Sequence, residues 1–131
     1  MKRIRCKRKG TAVVELAVCL PVLVLIVFAS IESCNAIFLK QSAASAAYEA
    51  AKIASNTGGT KLAAETRATE VLAAREITNA TITFVPADQT SWVRGVKLHV
   101  TISVPTTDNL GGTSFLFQGQ PVSVSTVMVK Q

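Results

Sequence analysis

An unbroken run of sixteen residues without a charge, Leu16 to Ile31, restricts this chain more than any other feature. Glu15 and Glu32 bracket the run, and apolar character extends into Thr11–Val14 on one side and Ala36–Leu39 on the other. At about 1.5 Å rise per residue, a helix needs roughly twenty residues to cross a hydrocarbon core of about 30 Å. The stretch from Thr11 to about Ser33 meets that length only if Glu15 lies inside the membrane or at its edge, so this acid requires an explanation. Pro21 removes one amide donor, leaves the Ala17 carbonyl without its usual partner and favours a kink, which membrane helices tolerate better than soluble ones.

Charge supports the same reading once it is mapped. The chain has 131 residues and a formal net charge of +6, and Lys2, Arg3, Arg5, Lys7, Arg8 and Lys9 supply all of it. Of fourteen basic residues these six precede Gly10, leaving eight against eight acidic ones in the remainder. A basic tag directly before an apolar run keeps that end in the cytoplasm and sends the far end across. Nucleic-acid or lipid-headgroup binding is disfavoured on the same ground, because it would want basic residues spread over a folded face. Cys6, Cys19 and Cys34 all fall in the leader or the apolar segment, so the region from Asn35 onward has no disulfide framework.

Beyond Leu39 the sequence becomes alanine-rich, with Ala43, Ala44, Ala46, Ala47, Ala50, Ala51 and Ala54 broken by Lys40, Gln41, Glu49 and Lys52. No Gly or Pro punctuates the join, which predicts one helix from about Thr11 to about Ser55, on the order of 65 Å long, ended by Asn56-Thr57-Gly58-Gly59. A second helix is expected from Lys61 to about Glu76, capped by Thr60, with Leu62, Thr66, Thr69, Val71 or Leu72 and Ile77 along one side. The period then switches to two. Ile82 and Phe84 mark a first strand, and Val96, Leu98, Val100, Ile102 and Val104 alternate with polar residues in a second. Gln120–Lys130 reads as a third strand whose alternation slips near Ser125 and Thr126, as a bulge would make it. Pro105–Gly112 reads as a loop, and Phe115–Phe117 as a short strand or a hydrophobic plug.

The order basic leader, Gly10, four residues, Glu15 and apolar helix is the order of a prepilin-peptidase substrate. The stretch Arg8-Lys9-Gly10, Thr11-Ala12-Val13-Val14-Glu15, Leu16-Ala17-Val18-Cys19-Leu20-Pro21 resembles the TadE-like pseudopilins of the tight-adherence (Tad/Flp) branch of type IV pilus systems. Leu16 stands where that group often has an aromatic residue, and Thr11 replaces a more usual small or apolar first residue. The resemblance spans about residues 8 to 40. It implies cleavage between Gly10 and Thr11, with Glu15 becoming the fifth residue of the mature chain and setting the register of assembly. It also implies inner-membrane lipid, a prepilin peptidase and other pilins or pseudopilins as partners. Physically, glycine gives a peptidase an unhindered bond, and cutting there creates an α-amino group only about 6 Å along the helix from Glu15. Pairing that acid with an amine of a neighbouring subunit would offset its burial in lipid.

No catalytic constellation, metal-ligand set or cofactor motif is present. His99 falls on the polar face of its strand with Lys97 and Thr101; Asp88 and Asp108 are isolated in loops. A lipoprotein signal is disfavoured because Val18 is too large for the position before Cys19, and the unbroken alanine-rich helix argues against a cleaved secretory signal. The expected fold class is α+β and pilin-like: a long N-terminal transmembrane helix running into a small outer domain with a second helix and a three-stranded antiparallel sheet. Its organisation is a leader over 1–10, a transmembrane segment over 11–39, a helix extension and hinge over 40–59, and an extracytoplasmic domain over 60–131. The expected role is that of a non-enzymatic minor pseudopilin in the bacterial inner membrane, with an uncleaved signal-anchored binding module as the alternative.

Overall fold

The computed structural model describes residues 10–110 and 119–131. The basic residues Lys2, Arg3, Arg5, Lys7, Arg8 and Lys9, and the Phe115–Phe117 stretch, lie outside them. In chain order the elements are α1 (Thr11–Ser55), α2 (Lys61–Ala73), β1 (Thr81–Val85), a 3-10 turn (Gln89–Ser91), β2 (Lys97–Val104), α3 (Thr106–Asn109) and β3 (Val122–Val129). This is the α+β arrangement expected from the sequence. The chain divides into two units, residues 1–31 and 32–131.

The first unit's described part is the apolar stretch of α1, which is long and apolar enough to cross a membrane and has a mean hydropathy of 2.8 over its best window. Pro21 lies inside the helix without ending it. Every side chain from Thr11 to Phe28 is exposed, including Val18 at 71% and Leu25 at 65%. An aqueous surface of that composition would be strongly unfavourable, at about 25 cal/mol for each Å² of apolar area left in water.

The second unit is built around the other stretch of α1. Ala43, Ala46, Ala47, Ala50, Ala51 and Ala54 have no exposed surface, and they share one core with Ala64, Ala68 and Leu72 of α2 and with Phe84, Leu98, Val100, Ile102 and Val104 of the sheet. Small side chains let backbones approach closely. Arg67 reaches Glu49 at 3.7 Å and Arg75 donates to the Ser45 hydroxyl at 3.4 Å, which fasten α2 along α1. The Ser42 hydroxyl is buried in this region with no hydrogen-bond partner.

Two expectations about α2 are corrected. The buried side is Ala64, Ala68 and Leu72, spaced by four, while Leu62 is 72% exposed and Thr66 and Thr69 bond back to their own helix's carbonyls on the outside. Reading for large apolar residues overlooked alanine as the contact surface. The helix also ends at Ala73 instead of Glu76. Glu76 takes a left-handed conformation with φ 59°, its amide donates to the Ala73 carbonyl, and the Ile77 amide donates to the Leu72 carbonyl. That is a Schellman stop, with Leu72 and Ile77 as its apolar contact. The N-terminus matches expectation: Thr60 Oγ1 accepts from the Ala63 amide at 3.2 Å.

The sheet is antiparallel in the order β1-β2-β3. β2 alternates as predicted, with Leu98, Val100, Ile102 and Val104 inward. β3 contains no bulge. Its pairing with β2 runs without interruption from Val104↔Val122 to Lys97↔Val129. The sequence pattern slips because Thr126 takes an inward position while Val127 and Val129 face out, at 48% and 52% exposure. Between β2 and β3 the expected loop begins with the single turn α3, pinned by Asn109, which accepts from the Thr78 amide and donates to the Thr78 and Pro105 carbonyls. Trp92 is 7% exposed, beside Phe84 at 5.5 Å between ring centroids, and its indole N–H donates to the Pro86 carbonyl at 2.9 Å.

Candidate functional site

The residues singled out from the sequence sit where α1 begins. Gly10 precedes the helix in a bend, and its carbonyl accepts the first helical bond, from the Val14 amide at 3.2 Å. A methyl group on Gly10 would meet nothing within 4 Å. The bond between Gly10 and Thr11 therefore lies at the junction of non-helical and helical backbone, with open space on the glycine side. Thr11 is the first helical residue and is exposed.

Glu15 lies one turn further on, exposed among Val13, Val14, Leu16 and Val18, which are also exposed. Among the described residues it forms no ion pair. An acid in this apolar setting is costly to place in lipid unless a cation meets it. Cys19 and Cys34 are free, exposed thiols. Glu32, by contrast, is 7% exposed, in the second unit, and it is bonded.

Elsewhere the loop acids singled out from the sequence are engaged in local hydrogen bonds. His99 stands exposed on the outer face of β2, next to Lys97 and Thr101, as expected. Asp108 accepts from the Asn79 amide group at 2.7 Å. Asp88 caps the 3-10 turn, and hydrogen bonds from the Thr90 side chain and backbone, with the nearby Lys61 ammonium, hold its carboxyl below the ordinary value of 3.8. Among the described residues no group of three or more His, Cys, Asp or Glu side chains is placed to hold a metal.

One residue of structural importance escaped the sequence reading. Lys130, 8% exposed, directs its ammonium at the end of α1, donating to the carbonyls of Ala54 at 2.9 Å, Asn56 at 2.6 Å and Gly59 at 3.4 Å. Strand parity contained the signal, because Val122, Val124, Thr126 and Met128 face inward and Lys130 continues their series. The preceding turn suits this clamp: Gly58 has φ +80°, and a side chain on Gly59 would collide with the Ile53 carbonyl.

Residues 10–52 match the family model described as TadE-like protein. The match starts at the glycine before α1 and runs through the membrane-length stretch into the alanine-rich part of the helix. No curated protein and no solved structure matches the chain.

Proposed function

We propose that this chain, whose residues 10–52 match the TadE-like family model and whose N-terminal stretch resembles the pseudopilins of the tight-adherence pilus, is a membrane-anchored, pseudopilin-like structural protein of such a pilus or a related secretion assembly. A prepilin peptidase cuts it between Gly10 and Thr11, and Glu15 then sets the axial register of the mature helix against its neighbours. The N-terminus faces the cytoplasm, the second unit lies outside it, and the role is structural and not enzymatic. The observation that carries this reading is the helix start at Thr11, immediately after an unobstructed glycine and four residues before the acid of the apolar stretch.

Cleavage removes the six basic residues of the leader and leaves the Thr11 amine as a cation one turn from Glu15. In lipid the amine of one subunit and the carboxylate of the next stabilise each other where either alone is costly. Breaking such a pair costs about 3–5 kcal/mol, which corresponds to roughly two to three and a half orders of magnitude in association.

The test is intact-mass measurement of membrane-extracted protein with and without the peptidase, combined with co-purification of the Glu15→Leu variant. Wild type is expected to lose Met1 to Gly10 only when the peptidase is present. Glu15→Leu is expected to be cut normally and to drop out of complexes with other pilus components. Full-length chain in the presence of an active peptidase refutes the processing; normal recovery of cleaved Glu15→Leu in the assembly refutes the register role.

A further inference from the structure

Among the described residues, neither edge of the outer unit's sheet has a further strand paired to it. Among the described residues no backbone group of β1 or β3 bonds to anything beyond the ladder with β2. β3 offers eight residues, Val122-Ser123-Val124-Ser125-Thr126-Val127-Met128-Val129, and β1 offers five, Thr81-Ile82-Thr83-Phe84-Val85. Neither contains a charge or a proline. Edge strands normally carry such residues to prevent pairing with other chains, and an uncharged, β-branched edge of this length is open to strand addition.

The two edges also suit each other. β1 and β3 are both antiparallel to β2, so they run in the same direction. Each turns apolar residues to the helix-covered side, Ile82 and Phe84 from β1 and Val122, Val124 and Met128 from β3. On the other side each shows hydroxyls, in the cross-strand rows Thr83–Thr101–Ser125 and Thr81–Ser103–Ser123. Those rows are already linked inside one chain, Thr101 Oγ1 donating to Ser125 Oγ at 3.1 Å and Ser123 Oγ to Ser103 Oγ at 3.0 Å.

We propose that the outer unit adds edge to edge to a second copy of itself, the free edge of β3 taking β1 of the neighbour as a parallel fourth strand. A copy displaced sideways by translation presents β1 to β3 with strand direction and both faces matched. The orientation argument rests on the membrane-anchored reading above. Joining two β3 strands antiparallel in one sheet needs a two-fold axis perpendicular to that sheet, and this reverses any direction lying in its plane. The α1 stretch laid on the sheet would then point oppositely in the two copies, which one membrane does not allow. Joining two β3 strands in parallel turns the helix-covered face of one copy to the hydroxyl face of the other and leaves β1 unused. Head-to-tail addition has neither fault, and because each copy keeps a free edge it can continue along a row.

Single cysteines report the contact. In full-length chains with Cys6, Cys19 and Cys34 replaced by serine, Thr83→Cys and Ser125→Cys are made separately, given different tags, co-expressed in membranes and treated with a short bis-maleimide. One cysteine per chain means that every product joins two copies. The expected result is a several-fold excess of the mixed Thr83→Cys with Ser125→Cys product over either self-product and over Thr69→Cys, an exposed α2 position, paired with Ser125→Cys. Trp92 emission checks that each variant is folded. A mixed product no more abundant than the Thr69 control overturns the proposal, as does a dominant Ser125→Cys self-product. Absent mixed product alongside Glu15-dependent co-purification removes the edge contact alone; abundant mixed product alongside normal recovery of Glu15→Leu removes the register role alone.

Discussion

Replacing Lys130 with methionine keeps an unbranched side chain of similar length but removes the ammonium that the Ala54, Asn56 and Gly59 carbonyls share. Two effects oppose each other. Methionine spares the desolvation of a buried cation, which favours the variant. Against that, the end of α1 loses its counter-charge, worth up to about 2 kcal/mol in a partly buried geometry, and hydrogen bonds to a charged donor, worth about 1.5–3 kcal/mol each. Asn56 is exposed, so water can take over its carbonyl; the buried Ala54 has no such replacement. The loss is therefore expected to win, by about 2–3 kcal/mol. The main-chain links of the same segment remain, Lys130 N–H to the Val96 carbonyl at 2.9 Å and Gln131 N–H to the Ser55 carbonyl at 2.8 Å, so β3 should keep its place. Urea unfolding of the full chain in detergent, followed by Trp92 fluorescence, measures the difference. Trp92 is the chain's one tryptophan and lies in the outer unit's core, so the signal reports that unit and not the apolar helix. A Lys130→Met variant with an unchanged midpoint and slope would refute the clamp.

Three further outcomes follow from single groups. Ser42→Ala removes a buried hydroxyl without a partner and should raise the same midpoint by about 0.5–1 kcal/mol equivalent; a loss of stability would mean the hydroxyl is bonded. Glu76→Gly relieves a left-handed residue at φ 59°, and with the unfolded chain's added freedom set against that relief, a net gain of up to about 1 kcal/mol is expected in thermal melts. The Asp88 carboxyl titrates lower in the folded chain than in the unfolded one, so its cap contributes stability above pH 3.8 and loses it as pH falls through the lower folded value. Accordingly Asp88→Asn should be less stable than wild type at neutral pH and equal to it in strong acid, as read from urea midpoints across the pH range.

How far the sequence could be read depended on which residues hold the signal. α1 was legible end to end because nothing between Thr11 and Ser55 except Pro21 opposes a helix, and lipid-length apolarity gives Pro21 a context. The strands were legible where one face is apolar and the other polar, as in β2. Reading failed where packing uses residues that composition does not flag. Ala64 and Ala68 contact the core through their smallness, so the search for bulky residues chose Leu62 and Thr66. Val127 and Val129 are apolar yet face outward, which imitated a bulge in a strand that pairs regularly. At the other end of the scale, Lys130 looked like an ordinary charged terminus, and only its parity with Met128 could have turned it inward. The roles proposed for Gly10, Thr11 and Glu15 rest on their spacing at the start of α1 and not on a pocket assembled by folding.

The alanine-lined stretch of α1 changes what counts as a separable part of this chain. With Ala43, Ala46, Ala47, Ala50, Ala51 and Ala54 fully covered, the helix supplies the surface on which Leu98, Val100, Ile102 and Val104 are closed from water. Excising everything before Thr60 would leave a sheet with an open apolar side, whereas a fragment beginning near Glu32 would keep its own core. The natural seam for dissection thus runs through the middle of a helix, not at the glycine turn that follows it, and a protease nick at Gly58–Gly59 would leave two pieces held together by fragment complementation.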